Sequence, residues 1–327
     1  QAVHPEDNVG TNLADELTPL NYYTILSDEE PASVYTNANL RSFYITQPLQ
    51  INMENDSLHM RFYSPVGIKE VTVMAKSPTM DEYVEFVYID NIPAFADIKT
   101  SIKVLKKGVY RTESGKVQQF SAEEMKPASL SFKIACNDPY WTKISQIKAK
   151  WYIKFVLNGG NPVTGTPNKN WWGIRPVHCR EAVALYLNIG YMCTLENFQK
   201  RVLTFQGVLL DNNKNAVDTS KIISRLENLS GFDIGLVYAG NGVAGLGGGR
   251  TWGVYQKSFL YHYENSGGCC STIFHELGHC LGYSHNSTMT YGQWASGCAD
   301  VFYKNNIKDF PVNSHTILKS RSNPNIY

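Results

Sequence analysis

His275-Glu276-Leu277-Gly278-His279-Cys280-Leu281-Gly282-Tyr283-Ser284-His285 places three imidazoles and one carboxylate at spacings suited to a single metal ion. His275 and His279 are four residues apart. On a helix they project from one face, one turn from each other. Two imidazoles so placed can grip one Zn²⁺ at about 2.0–2.1 Å each. Glu276 sits beside the first ligand, where its carboxylate can reach a metal-bound water rather than the metal. Gly282 follows three residues after His279. Glycine accepts the left-handed backbone of a helix C-terminus, so it can end the helix and turn the chain. The turn brings His285 round as a third ligand. Three protein ligands with one open position make a catalytic rather than a structural zinc site. A lone HExxH arises by accident in helices. Here a glycine and a third histidine also fall in place, and three of the chain's eight histidines lie within eleven residues.

The pattern HExxHxxGxxH resembles the signature of the metzincin clan of zinc metallopeptidases. The clan's second hallmark is a methionine turn under the metal, and Met289 in Ser287-Thr288-Met289-Thr290-Tyr291-Gly292 matches it. The resemblance implies that Met289 forms an apolar floor beneath the three histidines. It also implies that Tyr291, two residues on, contacts the metal or the reaction intermediate, as in some branches. Only Asn286, Ser287 and Thr288 separate His285 from Met289. Most families of the clan have a longer connection, so no subfamily is assigned. The recognisable motifs cover about 275–292.

The chain has 327 residues, 43% apolar and 18% charged, with a net charge of +1. These are the proportions of an ordinary globular protein long enough for two domains. Near-neutral charge gives no reason to expect a nucleic-acid or anionic-membrane partner. Residues 1–60 hold nine acidic side chains and one basic one, Arg41. Residues 1–39 therefore read as a flexible or peripheral acidic lead-in. No apolar run reaches the length of a spanning helix. A chain beginning at Gln1 without a signal segment fits a processed protein, secreted or at the cell surface. Cys269, Cys270, Cys280 and Cys298 cluster around the motif. They are either one or two disulfides bracing the helix or free buried thiols.

Residues 40–158 read as an antiparallel β-sandwich. Leu58–Tyr63, Ile68–Lys76, Val84–Ile89, Leu130–Ala135 and Gln146–Leu157 are rich in β-branched and aromatic residues, with turn signals between them. No catalytic cluster falls there. Residues 159–170, with Gly, Pro, Asn and Thr and no hydrophobic period, read as a linker. Residues 171–327 then form an α+β domain, expected to be a metzincin-like α/β/α zinc-peptidase domain by the resemblance. Cys179–Ile189 and Leu195–Leu203 have helical character, Asp218 offers a cap to a third helix, and Phe232–Ala239 reads as a buried strand. Gly240-Asn241-Gly242-Val243-Ala244-Gly245 formally contains GxGxxG. It lacks the helix a dinucleotide site needs, and no GK[ST] follows. Peptidases of the resembled clan bind substrate as an added strand along a sheet edge, so Gly242–Gly253 is either that rim or a plain surface loop. The motif helix is expected to run from Ser271 or Thr272 to Gly282. His178, His262 and His315 lack the motif's spacing and read as ordinary histidines.

The expectation is a zinc-dependent endopeptidase acting on protein or peptide substrates, with Zn²⁺ on His275, His279 and His285. Zinc activates a water and polarises the scissile carbonyl; Glu276 moves the proton; Tyr291 aids the oxyanion. The N-terminal domain could engage a glycoprotein or cell-surface target. The alternative is a glycan- or protein-binding protein with a vestigial zinc domain. A zinc hydrolase of non-peptide amides is a third reading. Substrate preference is assigned to a pocket lined between Thr290 and Trp294.

Overall fold

The computed structural model describes residues 11–12, 22–55, 57–101, 109–264 and 269–314, with antiparallel sheets and helices in a mixed α+β arrangement. The chain forms two compact units. The first comprises described residues up to Ile25 together with Pro48–Thr142. It contains two four-stranded sheets. One has the order Thr11–Asn12, Val84–Ile92, Ile68–Lys76, Ser131–Ala135; the other has the order Tyr22–Thr24, Ala96–Ser101, Ser57–Phe62, Leu49–Glu54. Alternation decides which side chains turn inward. Along Ser57–Phe62 every second residue, Leu58, Met60 and Phe62, is buried. These join Val71, Val73, Val87 and Ile89 of the other sheet in one apolar core.

The second unit comprises Leu26–Gln47 and the described residues from Lys143 to residue 314. Its sheet runs Gly245–Gly248, Thr251–Tyr255, Gly231–Val237, Tyr152–Phe155, Ser42–Tyr44, with Trp171–Trp172 also paired to Gly231–Val237. Thr251–Tyr255, Gly231–Val237 and Tyr152–Phe155 are mutually parallel; Gly245–Gly248 and Ser42–Tyr44 are antiparallel edges. Gly235 and Gly253 are register partners, and a Cβ on either would strike the ring of Trp171. The two glycines let an indole lie flat on the sheet. Helix Pro176–Met192 is buried along its whole length, its polar residues His178, Arg180, Glu181 and Asn188 included. Two of its polar side chains are bonded internally. Asn188 donates to Tyr303 Oη (3.0 Å) and Val312 O (2.7 Å), and Arg180 donates to Leu26 O (2.8 Å) and Asp28 (2.9 Å).

Three expectations about organisation change. The β-rich region does not run unbroken from 40 to 158, because Ser42–Tyr44 and Tyr152–Phe155 pair with each other inside the second unit. Residues 159–170 are not a linker between units. They fold onto the second unit's sheet, with Trp172 Nε1 donating to Gly165 O (2.7 Å) and Arg175 Nε to Pro162 O (3.2 Å). Within the acidic lead-in, residues 1–10 and 13–21 lie outside the described residues, and Asp28 is no peripheral charge: it holds the fully buried Arg180.

Candidate metal and catalytic site

The site stands on helix Cys269–Cys280, which begins two residues before Ser271. It ends in two bonds that only a left-handed residue allows. Gly282 has φ +96°, its N–H donates to His279 O (2.9 Å), and Tyr283 N–H reaches back to Gly278 O (3.2 Å). This reversal carries the chain back to His285. Imidazole nitrogens of His275, His279 and His285 lie within 4.8 Å of one another and could hold a metal ion. His279 Nε2 is 3.2 Å from His275 Nε2 and 3.0 Å from His285 Nε2.

The opposite ring nitrogens settle the tautomers of two of these side chains. His275 Nδ1 donates to Thr290 O, and His279 Nδ1 donates to Tyr283 O at 2.8 Å. A carbonyl only accepts, so each Nδ1 carries the proton and each neutral ring presents a bare Nε2. Burial holds both imidazoles below their ordinary pKa, favouring the neutral form that metal ligation needs. Bare nitrogens this close repel one another unless a cation lies among them.

Glu276 is 2% exposed, with Oε1 3.7 Å from His275 Nε2. Its Oε2 has no hydrogen-bond partner among the described residues. Burial pushes the carboxyl up to about 8. The carboxylate packs against the edge strand Gly245–Gly248, where a Cβ on Gly245 would fall 2.2 Å from Oε1 and one on Gly247 2.4 Å from Oε2. The glycines of the rim thus make room for the acid, a role that composition alone does not reveal. The outer side of this strand ends the sheet.

Met289 is wholly buried, on a turn closed by its N–H to Ser287 Oγ (3.1 Å). Helix and turn approach closely at Gly278, where a Cβ would meet Met289 O at 2.2 Å. Gly278, unremarked in the sequence, is a mid-helix glycine, and its cost in helix propensity was the available signal. Tyr291 is half exposed, its ring centroid 4.6 Å from that of His275 and 5.2 Å from that of His285. Beside the triad lies a cavity of about 640 Å³. Thr290 and Tyr291 line it as expected; Gly292, Gln293 and the buried Trp294 do not, and Ala295 and Ser296 do.

His178 and His262 are buried away from the triad, and His262 Nδ1 lies 2.9 Å from Tyr303 Oη. His315 lies outside the described residues. Cys280 and Cys298 are free thiols, Cys280 donating to Thr251 O (3.3 Å). The side chains of Cys269 and Cys270 lie outside the described residues, and so does the part of the disulfide alternative that rests on them. No helix among the described residues is long and apolar enough to cross a membrane. No protein-family model, curated protein or solved structure matches this chain significantly.

Proposed function

We propose that this chain is a zinc-dependent endopeptidase of the metzincin type. The observation that carries the proposal is the convergence of three imidazole Nε2 atoms beside a buried, unpartnered carboxylate. Their donor set suits zinc, since a tetrahedral ion at about 2.0–2.1 Å holds neighbouring nitrogens about 3.3 Å apart. The separations of 3.0 and 3.2 Å are close to that edge length. When bound, zinc would supply Lewis acidity, lowering the pKa of a water and polarising a scissile carbonyl.

The chain's own residues would do the rest. His275, His279 and His285 hold the ion, with two of the rings kept in the correct tautomer by backbone carbonyls. Glu276 accepts the proton of the attacking water at a carboxylate oxygen and gives it to the departing amine. Its desolvated setting makes it a stronger base than an exposed carboxylate. Tyr291, at the mouth of the site, is positioned beside His275 and His285 to donate to a developing oxyanion. Strand Gly245–Gly248 ends the sheet among the described residues and runs along the same cavity, and an extended peptide backbone can align on that edge.

Two measurements test this reading separately. Metal analysis of metal-replete protein should return one zinc per chain, lost in His275→Ala. Glu276→Ala should keep that zinc and lose cleavage of a peptide mixture by about 10²- to 10⁴-fold. Cleavage by Glu276→Ala at the wild-type rate would remove the mechanism.

A further inference from the structure

After the methionine turn the chain enters a stretch of π-helix, Ala295–Asp300. Gly297 N–H bonds Gly292 O (2.6 Å) and Ala299 N–H bonds Trp294 O (2.9 Å), each five residues back. A π-turn accommodates one residue more than an α-turn, and such turns are marginal unless something external holds them. Here the holder is Arg201, from helix Glu196–Leu203. Its Nη2 donates to Gly297 O (2.6 Å) and its Nε to Cys298 O (3.0 Å), with the guanidinium 5.5 Å from the Phe205 ring centre. The fork geometry suits this pair of adjacent carbonyls, and one flexible ammonium could not serve both equally. Phe198 of the same helix packs 6.4 Å from the ring of Trp294, the residue on which the π-turn begins.

The first residues of this turn, Ala295 and Ser296, are a wall of the cavity beside the triad. Val243, Leu246, Ser271 and Thr272 line it as well, and no Asp, Lys or Arg does so among the described residues; Glu276 is the one acid. Charge complementarity is therefore not what sorts side chains entering this cavity. Shape must do so, and shape depends on where the π-turn stands.

We propose that Arg201 is a positioning residue for substrate discrimination. By fixing the π-register of 295–300 it sets the depth of an uncharged side-chain pocket, without touching substrate or metal. The inference rests on the peptidase reading for its substrate but can be measured without turnover.

The test uses zinc-loaded protein and short peptide hydroxamates identical except for one side chain, Ala, Leu, Phe or Lys, with affinities measured by calorimetry. Wild type should favour Leu or Phe over Lys by about tenfold or more, since the one acid lining the cavity, Glu276, is buried behind the edge strand beside the triad and the rest of the lining offers a charge no partner. Arg201→Met should shrink the spread between the Ala, Leu and Phe compounds by about tenfold while zinc affinity stays within about threefold. Arg201→Lys, which keeps one donor, should recover part of that spread. An unchanged ranking in Arg201→Met, or an equal weakening of all four compounds, would overturn the proposal. So would wild-type protein that ranks the compounds equally or binds none. Failure of the peptidase reading shows differently, as ranked binding without cleavage of any peptide.

Discussion

Replacing Gly278 by alanine sets two physical effects against each other. Helix propensity favours alanine over glycine by about 1 kcal/mol in a helix interior, so local reasoning predicts a more stable protein. The packing predicts the reverse. The new Cβ would lie 2.2 Å from Met289 O, 3.1 Å from Met289 C and 3.3 Å from Thr290 Cγ2. Two of the three are backbone atoms of the turn that carries Met289, and they cannot swing away as a side chain would. Ordinary carbon–oxygen contact needs roughly 1 Å more, taken by lifting the turn off the helix. Overpacking of this kind costs about 1–3 kcal/mol. Moving the turn also strains the bond from His275 Nδ1 to Thr290 O, itself worth about 1 kcal/mol. Against a gain of about 1 kcal/mol the sum is a net loss of about 1–3 kcal/mol. Loosening a bond that orients a ligand should also weaken zinc binding by about 10- to 100-fold. Urea unfolding of the metal-free protein and competition with a zinc chelator measure the two effects independently. Gly292→Ala is the control, because nothing lies within 4 Å of a Cβ there. If Gly278→Ala is as stable as wild type and keeps its zinc affinity, the close seating of turn on helix is refuted.

Gly245→Ala should lower kcat/KM by about 100-fold with zinc content unchanged, because its Cβ meets only side-chain atoms of Glu276 and displaces the base rather than a ligand; full activity would show that the carboxylate needs no such seat. Asp28→Ala removes an acceptor 2.9 Å from the buried guanidinium of Arg180, which should cost about 1.5–3 kcal/mol in urea unfolding; a loss under about 0.5 kcal/mol would mean that Asp28 does not hold Arg180. His178 is held at about 3 by burial, with Arg175 adding to the effect, against an ordinary 6.5. The unfolded chain therefore binds a proton below pH 6.5 that the folded chain refuses, and stability should fall by about 1.4 kcal/mol per pH unit from about pH 6 toward 3. His178→Gln should remove that slope from the pH dependence of unfolding, and an identical slope in the variant would rule out His178 as its source.

The site was legible in the sequence because its determinants are local. His275, Glu276, His279 and His285 lie on one helix and the turn after it, so spacing alone predicts their convergence. Asp218, expected to cap the third helix, accepts the Ser220 N–H (3.1 Å) and caps the 3₁₀ turn Thr219–Lys221 that leads into helix Ile222–Glu227, which itself has no side-chain cap. What was misread depends on pairing across distance. Ser42–Tyr44 is three residues long, and its partner Tyr152–Phe155 lies more than a hundred residues away, so neither could be assigned to the second unit from composition. The 159–170 segment failed for a related reason. Glycine, proline and asparagine announce a turn, but they do not say whether the turn packs. A Cβ on Gly160 would fall 2.4 Å from Gly173 N, so that glycine serves a close backbone approach rather than mobility.

The short connection from His285 to Met289 brings these strands of reasoning together. Backbone polar groups in a tight reversal must find partners, and a longer loop can find them in water. Here hydroxyls replace length. Asn286 N–H bonds Ser284 Oγ (3.2 Å), Ser287 Oγ bonds Ser284 O (2.7 Å), and Thr290 Oγ1 bonds Ser284 O (3.3 Å). A second segment buttresses the turn from outside. Asn212 accepts the Ser284 N–H (2.7 Å), Thr288 N–H bonds Leu210 O (3.0 Å), and Leu210 N–H bonds Thr288 Oγ1 (2.7 Å). Three residues suffice between His285 and Met289 because neighbouring side chains and residues 210–212 satisfy peptide groups of this turn. The short connection is thus a local solution to hydrogen bonding, and it brings Tyr291 against the rings of His275 and His285.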